Sequence, residues 1–433
     1  MTPEEDRKSP AAAGVREPAR KAPLPLEFPG IHHMDSEEEE AVLRVLRSRS
    51  LFRYYGINLQ GEAAAFEKEF AEFLGVPRAV AVSSGTGALH VALGALGAGP
   101  GQEIIIPAYL WVSVAAAVVN LGAIPVVADI DDTFCLNPAA AERLITPRTS
   151  GIILVHMSGA PGDAPALRRL ADRHNLFLLE DCAQCAGGAI GGRRVGAFGD
   201  MAIFSFQMNK NMTSGEGGCV ATSDERLWKR AVACHDLGYA RDANGRLVLD
   251  DPDLRLWGLG CRLDEVRAAI LRVQLRKLPA VTAAMRRSKY RIRRAVGELK
   301  GVSLRRIQDP DGDTGCFLIT TYVDAAAAKA VNEGLLAEGI RTFPQGLSNV
   351  VMTEWGLHLY YNIASLVHRT SRSRAGEPWS LERNAASRYS YAKGACPAAD
   401  SLFERSIIIP VPSCLTESDE DEIIEAFRRV LGG

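Results

Sequence analysis

Short apolar runs alternate along this chain with segments whose large apolar residues recur every three or four positions. Phe66, Phe70 and Phe73 share one face of a predicted helix, and Ala79–Val82 follows as a short strand. Leu89, Leu93 and Leu96 mark the next helix, before a strand at Ile104–Ile106, a helix over Val112–Leu121 and a strand at Pro125–Ala128. The alternation continues with a strand at Ile152–Val155, a helix over Leu167–His174 and strands at Leu176–Leu179, Met201–Phe206 and Cys219–Ala221. Strands that are apolar throughout, rather than at every second position, are covered on both faces. The pattern therefore predicts a mostly parallel sheet between two layers of helices. Ligands of such sheets lie beyond the carboxyl ends of the strands. That places Ser83–Gly87, Pro107–Trp111, Glu180–Gln184 and Ser205–Lys210 along one rim.

The flanking regions read differently. Ser36 with Glu39 forms a capping-box pattern ahead of Val42, Val45 and Leu46. Val266, Ile270 and Val273 begin a long helix that runs toward Leu278, with a second, basic helix after it, as a spine between two domains. Phe317–Val323, a helix over Ala325–Leu336, Ile407–Ile409 and a last helix with Ile423, Ile424, Phe427 and Val430 predict a smaller α+β domain. We therefore expect a disordered tail at 1–26, a large α/β domain at 27–275 and a small domain at 276–433. Residues 345–395, with Trp355, His358, Tyr360, Tyr361, Trp379 and several arginines, show weak periodicity and read as an insertion or lid; these side chains could hold a sugar, a phosphate or a carrier, or form a solvated lid.

Composition narrows the function. The 433 residues are 47% hydrophobic with a net charge of −2, which gives no reason to expect nucleic acid or an anionic membrane as partner. No apolar run reaches membrane-spanning length, and the polar N-terminus lacks the core of a secretory signal. Nine scattered cysteines read as reduced thiols of a cytoplasmic protein. Cys182-Ala-Gln-Cys185 has no second pair at metal-finger spacing, so we expect buried small residues there and no metal site.

The rim residues carry the chemistry. Lys210 lies between two buried strands, followed by a Gly-rich turn at Gly215–Gly218. A buried ammonium is costly and its pKa falls, which suits Schiff-base chemistry; a lysine that snorkels to the surface is the competing reading. Ser83-Ser-Gly-Thr-Gly87 at a strand-to-helix turn suits one phosphate, or is an ordinary capped turn. It is neither a dinucleotide fingerprint nor a P-loop. Asp181 ends a strand and could hold a metal, a ribose or a protonated ring nitrogen. Pyridoxal phosphate (PLP) needs a phosphate cradle, an acid at its pyridine nitrogen and a lysine, which accounts for all three features together. Trp111 could offer the ring a flat face, Ser205 a hydroxyl to the phosphate, and Gln184 a donor to the ring oxygen. His156 ends a strand and reads as a satisfied loop histidine.

These runs, in order and spacing, resemble the DegT/StrS family of PLP-dependent aminotransferases. They are Ser84-Gly-Thr-Gly-Ala-Leu89, Pro107-Ala-Tyr-Leu-Trp111, Glu180-Asp-Cys-Ala-Gln184, Gly199-Asp200, and Phe204-Ser-Phe through Lys210 to Gly218. The resemblance runs from about Phe28 to the end and is weakest over 345–395. It implies the aspartate-aminotransferase-like α/β fold (PLP fold type I) and a homodimer. It also implies transfer of an amino group from L-glutamate or L-glutamine to a keto sugar or keto cyclitol. It assigns the Schiff-base lysine to Lys210, the ring-nitrogen acid to Asp181, the ring-oxygen partner to Gln184 and the stacking aromatic to Trp111. Phosphate contacts fall on Gly85, Thr86, Gly87 and Ser205. Related sugar dehydratases carry histidine where this chain has Lys210, which disfavours that branch.

The chain departs from the family at Gly258-Leu-Gly-Cys-Arg262, where an asparagine usually stands in place of Gly260 to reach the partner's phosphate. Leu110 stands where threonine is common. A different PLP reaction, such as elimination or bond formation on an amino acid, and a PLP-bound regulatory protein are the competing functions.

Overall fold

The computed structural model describes residues 16–242, 244–342 and 348–432. Seven strands form one sheet: β1 (Arg78–Val82), β2 (Glu103–Pro107), β3 (Ile124–Ala128), β4 (Thr149–Val155), β5 (Phe177–Asp181), β6 (Met201–Ser205) and β7 (Gly218–Thr222). Their order is β1-β7-β6-β5-β4-β2-β3, and only β7 runs antiparallel to its neighbours. Ile104, Ile105 and Ile106 show why β2 carries no polar position. All three are fully buried, but Ile104 and Ile106 join the core on one face and Ile105 the core on the other. Val155 pairs with Asp181 and Asp181 with Ile203, so the carboxyl ends of β4, β5 and β6 stand level. The residues that follow them share one rim, and the large, mostly parallel α/β layer is as expected.

Helix α1 (Ser36–Ser48) begins one residue earlier than the capping-box reading: Asp35, not Ser36, is the N-cap, and Glu38 closes the box. Helix α2 (Glu62–Leu74) drives Phe66 and Phe70 into the sheet, where Phe70 meets Phe204 edge-on at 4.9 Å and Phe66 meets Phe206 at 5.5 Å. Helices α3 (Gly85–Leu96), α4 (Val112–Asn120), α5 (Ala164–His174) and α6 (Glu225–His235) cover the rest of the sheet. The spine is one 33-residue helix, α7 (Glu265–Gly297), not two: it passes Leu278 unbroken with Pro279 inside it. Its first half packs Ala269 and Val273 on Ala41 and Val45 of α1. Its second half packs Ile292 and Val296 into a separate core with Ile407, Ile409, Ile423 and Phe427.

That second core is built on a four-stranded sheet: β8 (Ser303–Leu304), β9 (Phe317–Thr321), β10 (Val350–Val351) and β11 (Ser406–Pro410), in the order β8-β9-β11-β10. Helices α8 (Ala325–Ala337) and α9 (Glu417–Leu431) cover it. The chain enters this core earlier than a tail over 1–26 allows. Leu24 is fully buried in it, and the buried Arg20 pairs with Asp419 at 2.7 Å and Glu422 at 2.5 Å. Arg20 and Leu24 thus anchor this segment, while residues 16–18, Lys21 and Ala22 stay exposed: one leucine and one doubly paired arginine suffice to hold a polar stretch. Residues 1–15 of that expected tail lie outside the described residues.

Of the expected insertion, 345–347 also lie outside the described residues. The remainder packs back on the large sheet as a strap. Leu110 N–H donates to His358 O (3.0 Å) and Tyr360 N–H to Ala108 O (3.1 Å), so residues 358–360 extend the segment that leaves β2. Leu359, Tyr360, Ile363, Leu366 and Tyr391 are buried in the same core as Ile104. Farther on, Asn384 accepts Gly101 N–H (2.7 Å) and donates to Gly122 O (3.0 Å). The segment's arginines stay in solvent while its aromatics go inside, which is why it shows no single period.

Candidate functional site

A loop pinned at both ends places Lys210. Phe206 N–H donates to Gly217 O (2.8 Å), Met208 N–H to Gly215 O (3.0 Å) and Ser214 N–H to Phe206 O (3.1 Å). Gly215 makes the return at φ +80°, a region that side-chain-bearing residues avoid. Lys210 itself is held through its carbonyl, which accepts Gly30 N–H at 3.2 Å. Next to it, Asn211 donates to Ala186 O at 3.0 Å. The Lys210 side chain is half-buried, and its ammonium has no hydrogen-bond or ion-pair partner among the described residues. Burial pulls its pKa below the ordinary lysine value, against the charge of Asp181.

Asp181 is the last residue of β5 and only 3% exposed. Its Oδ1 accepts Ala183 N–H at 2.9 Å, while its Oδ2 has no partner among the described residues. Burial lifts the carboxyl to about 6, against the pull of the Ala183 N–H and of Lys210. Behind it, His156 and Glu180 form a closed buried network. His156 Nδ1 accepts Gly162 N–H (3.1 Å), so Nε2 carries the proton and donates to Glu180 (3.0 Å). Glu180 also accepts N–H bonds from Gly196, Phe198 and Gly199. His156 is therefore satisfied, as the sequence suggested. With Cys182 it makes a cluster of donor atoms within 4.8 Å, but those of His156 and Glu180 are already engaged.

Gln184 Oε1 accepts Ser158 N–H at 3.0 Å, which fixes the amide so that its NH2 is left for a ligand. At the start of α3, Ser84 Oγ accepts Gly87 N–H (3.0 Å) as the helix cap. The Gly85 and Thr86 N–H groups, in the first turn, have no intrahelical acceptor. A Cβ on Gly85 would stand 2.6 Å from Ser205 Cβ, so glycine is what lets this turn close onto β6. Thr86 Oγ1 lies 2.8 Å from Ser113 Oγ.

These side chains converge. Gly85, Thr86, Trp111, Asp181, Gln184, Ser205 and Lys210 all line one cavity of about 570 Å³ at the carboxyl rim of the sheet. Gly87 does not: its N–H is spent on the Ser84 cap and its Cα faces Cys261, so the expected phosphate contact there is not supported. Trp111 is 44% exposed, with its ring 4.8 Å from that of His358. His358 in turn stacks on Trp355 at 4.9 Å and 27°. Both strap residues line the cavity, so of the two readings of this stretch, ligand-holding or solvated lid, these two side chains fit the first. Their signal was weak, since they reach it by pairing with 108–110 across some 250 positions. Ser113, in the first turn of α4, also lines the cavity and was missed.

We expect Gly85→Ala to weaken binding of an anionic ligand at this turn by about tenfold or more. The new methyl must displace Ser205 or the helix N-terminus. Titration of the cofactor-free protein with PLP, followed by fluorescence, measures it.

Comparison with known proteins agrees with this geometry. The model of the DegT/DnrJ/EryC1/StrS aminotransferase family matches residues 32–345. A UDP-N-acetyl-3-dehydro-alpha-D-glucosamine 3-aminotransferase of Acidithiobacillus ferrooxidans is 34% identical over 381 residues, covering 87% of this chain and 90% of that protein. An L-glutamine:2-deoxy-scyllo-inosose aminotransferase of Streptoalloteichus tenebrarius is 40% identical over 276 residues, covering 63% of this chain and 64% of that one. Among solved structures, S. venezuelae DesV, determined in complex with a ketimine intermediate, superposes with a TM-score of 0.72 at 30% identity. That match covers 91% of this chain and 94% of DesV.

Proposed function

The chain belongs to the DegT/DnrJ/EryC1/StrS aminotransferase family, and from that premise we propose that it moves an amino group from L-glutamine or L-glutamate to a keto sugar or keto cyclitol. The family depends on PLP, and the cavity fits that cofactor in three respects. The Gly85 turn, which has no room for a side chain, suits a phosphate. The unpartnered Oδ2 of a desolvated Asp181 suits a ring N–H⁺. A half-buried lysine without a counterion bond suits an aldehyde. The observation that carries the proposal is the convergence of Lys210, Asp181 and the α3 turn on one cavity.

When bound, PLP supplies an aldehyde that takes up and gives back the amino group and a ring that withdraws electrons. In our reading Lys210 holds the cofactor covalently. Its amine, once released, moves the proton at the substrate carbon. Burial favours the neutral amine that this requires. Asp181 keeps the ring nitrogen protonated. The Gln184 NH2 donates to the ring oxygen. The Gly85 and Thr86 N–H groups and the Ser205 hydroxyl bind the phosphate, and Trp111 covers one ring face. The test is product balance: one keto acid formed from L-glutamine per amino product. An excess of keto acid without aminated acceptor would contradict it.

We also propose that two copies pair over the cavity side. Tyr55 (69% exposed), Ile57 (90%) and Trp257 (97%) present apolar surface to solvent. Their loops are bound into one surface by Arg241 over Tyr54 (4.2 Å) and Arg262 over Phe52 (5.4 Å). A single-chain mass by light scattering would contradict pairing. Among the described residues no helix is long and apolar enough to cross a membrane.

A further inference from the structure

Gln184 can donate to a ligand oxygen only one way round. Its NH2 faces the ligand while its Oε1 is held on the other side, and the donor that holds it is the Ser158 N–H at 3.0 Å. An amide turned over would present an oxygen to an oxygen.

Ser158 keeps this N–H in place with a backbone that serine disfavours. It is left-handed, at φ +53° and ψ 40°, where a Cβ crowds the chain. At negative φ the N–H would swing away from Gln184. Two contacts hold the residue. Its Oγ lies 2.8 Å from the Tyr109 hydroxyl, and both residues are fully buried. Its carbonyl accepts from Arg305 Nη1 at 3.4 Å.

Arg305 comes from the small domain, one residue after β8. Its Nε donates to Thr133 O at 2.6 Å and its Nη2 to Cys135 Sγ at 3.4 Å. It forms no ion pair among the described residues. A buried guanidinium without a counterion is costly, and here all its bonds go to the loops that follow β3 and β4. The small domain grips the next residue too: Gly159 O accepts Thr314 N–H (3.0 Å) and Thr314 Oγ1–H (3.1 Å). Tyr109, Ser158, Arg305 and Thr314 are each at most 2% exposed, so the arrangement is set inside one chain.

We propose that Ser158 is a positioning residue. Held left-handed by Tyr109 and Arg305, it fixes the Gln184 amide and, through it, how tightly the bound cofactor holds its proton. This rests on the reading of Gln184 as donor to the cofactor's ring oxygen.

The test follows the colour of the PLP-loaded protein against pH, with no substrate present. A donor to the ring oxygen favours its anionic form, so losing the donor keeps the proton on, and the protein yellow, to higher pH. Gln184→Ala should raise the midpoint of the yellow-to-colourless transition by about one unit. Ser158→Ala loses the Tyr109 bond and with it the hold on the backbone; it should raise the midpoint by about half a unit or more. Ser158→Gly loses the same hydroxyl but takes positive φ without steric cost, so the midpoint should return most of the way to wild type. Both variants leave the Tyr109 hydroxyl unpaired and should unfold at a lower temperature, so a merely structural role would treat them alike. In the Gln184→Ala background, Ser158→Ala should add nothing to the shift. An unmoved midpoint in Ser158→Ala, equal shifts in the alanine and glycine variants, or additive shifts in the double variant would each overturn the inference while the protein stays yellow. A wild-type protein that takes up no PLP would instead overturn the cofactor reading, and this inference with it.

Discussion

Lys210→Ala is expected to lose transamination by roughly three orders of magnitude or more while folding normally. The two halves of that expectation rest on different observations. The loss follows because no second ammonium among the described residues lines the cavity to replace the amine. Normal folding follows because the ammonium makes no hydrogen bond or ion pair among the described residues, so its removal strands no partner. The loop keeps its shape through backbone bonds: Gly30 N–H to Lys210 O and the Phe206–Gly217 closure. Lys210→Arg should be equally inactive, since a guanidinium stays protonated and cannot act as a base. Steady-state assay of keto-acid formation, paired with thermal unfolding, checks both halves. Residual turnover within tenfold of wild type would move the chemistry to another residue.

The second large effect is at Asp181, and its sign differs between the cofactor-free and loaded protein. In the free protein the carboxyl is buried, and its pKa is raised from 3.8 to about 6. A raised carboxyl pKa means that the folded state resists ionisation. Below pH 3.8 the group is protonated in both folded and unfolded chains and costs nothing. As the pH rises from 3.8 toward 6 the unfolded chain ionises first, and stability falls by about 3 kcal/mol, staying lower above 6. Asp181→Asn removes that cost. The cofactor-free variant should therefore unfold at a higher temperature than wild type at pH 8, with the difference vanishing near pH 4. With PLP bound, the ring N–H⁺ supplies the missing counterion, and the neutral amide loses it. The loaded variant should turn over about 10²- to 10³-fold more slowly. Thermal scans at the two pH values and kcat with saturating PLP measure these effects. A cofactor-free variant less stable at pH 8 than wild type would show that Asp181 is held by a partner instead of waiting for one.

Most of the large domain was legible because its strands are buried on both faces. A run such as Ile104-Ile-Ile106 has no solvated alternative, and each such strand announces the turn beyond it. The site inherited that legibility: Gly85, Trp111, Asp181 and Ser205 all sit at or just past strand ends. What was missed is governed by tertiary context. Both Asp35/Glu38 and Ser36/Glu39 satisfy the capping-box spacing. The structure uses the first because Glu38 is also needed inside, where it meets Gln274 at 2.7 Å and Lys277 at 2.8 Å. Arg20 and Leu24 looked like tail residues because their partners lie some 400 and 300 positions away. His358 and Trp355 were visible only as aromatics in an aperiodic stretch. Which of that stretch's side chains face the cavity is decided by the pairing of 358–360 with 108–110.

The most direct test of the central claim is the visible absorption of the purified, PLP-loaded protein before and after L-glutamine, and again after a keto cyclitol. The account predicts a yellow protein that bleaches with the donor and regains its colour with the acceptor. A yellow protein that ignores L-glutamine and L-glutamate alike would contradict transamination and leave PLP serving another reaction. A protein that takes up no PLP would contradict the assignment of the cavity itself.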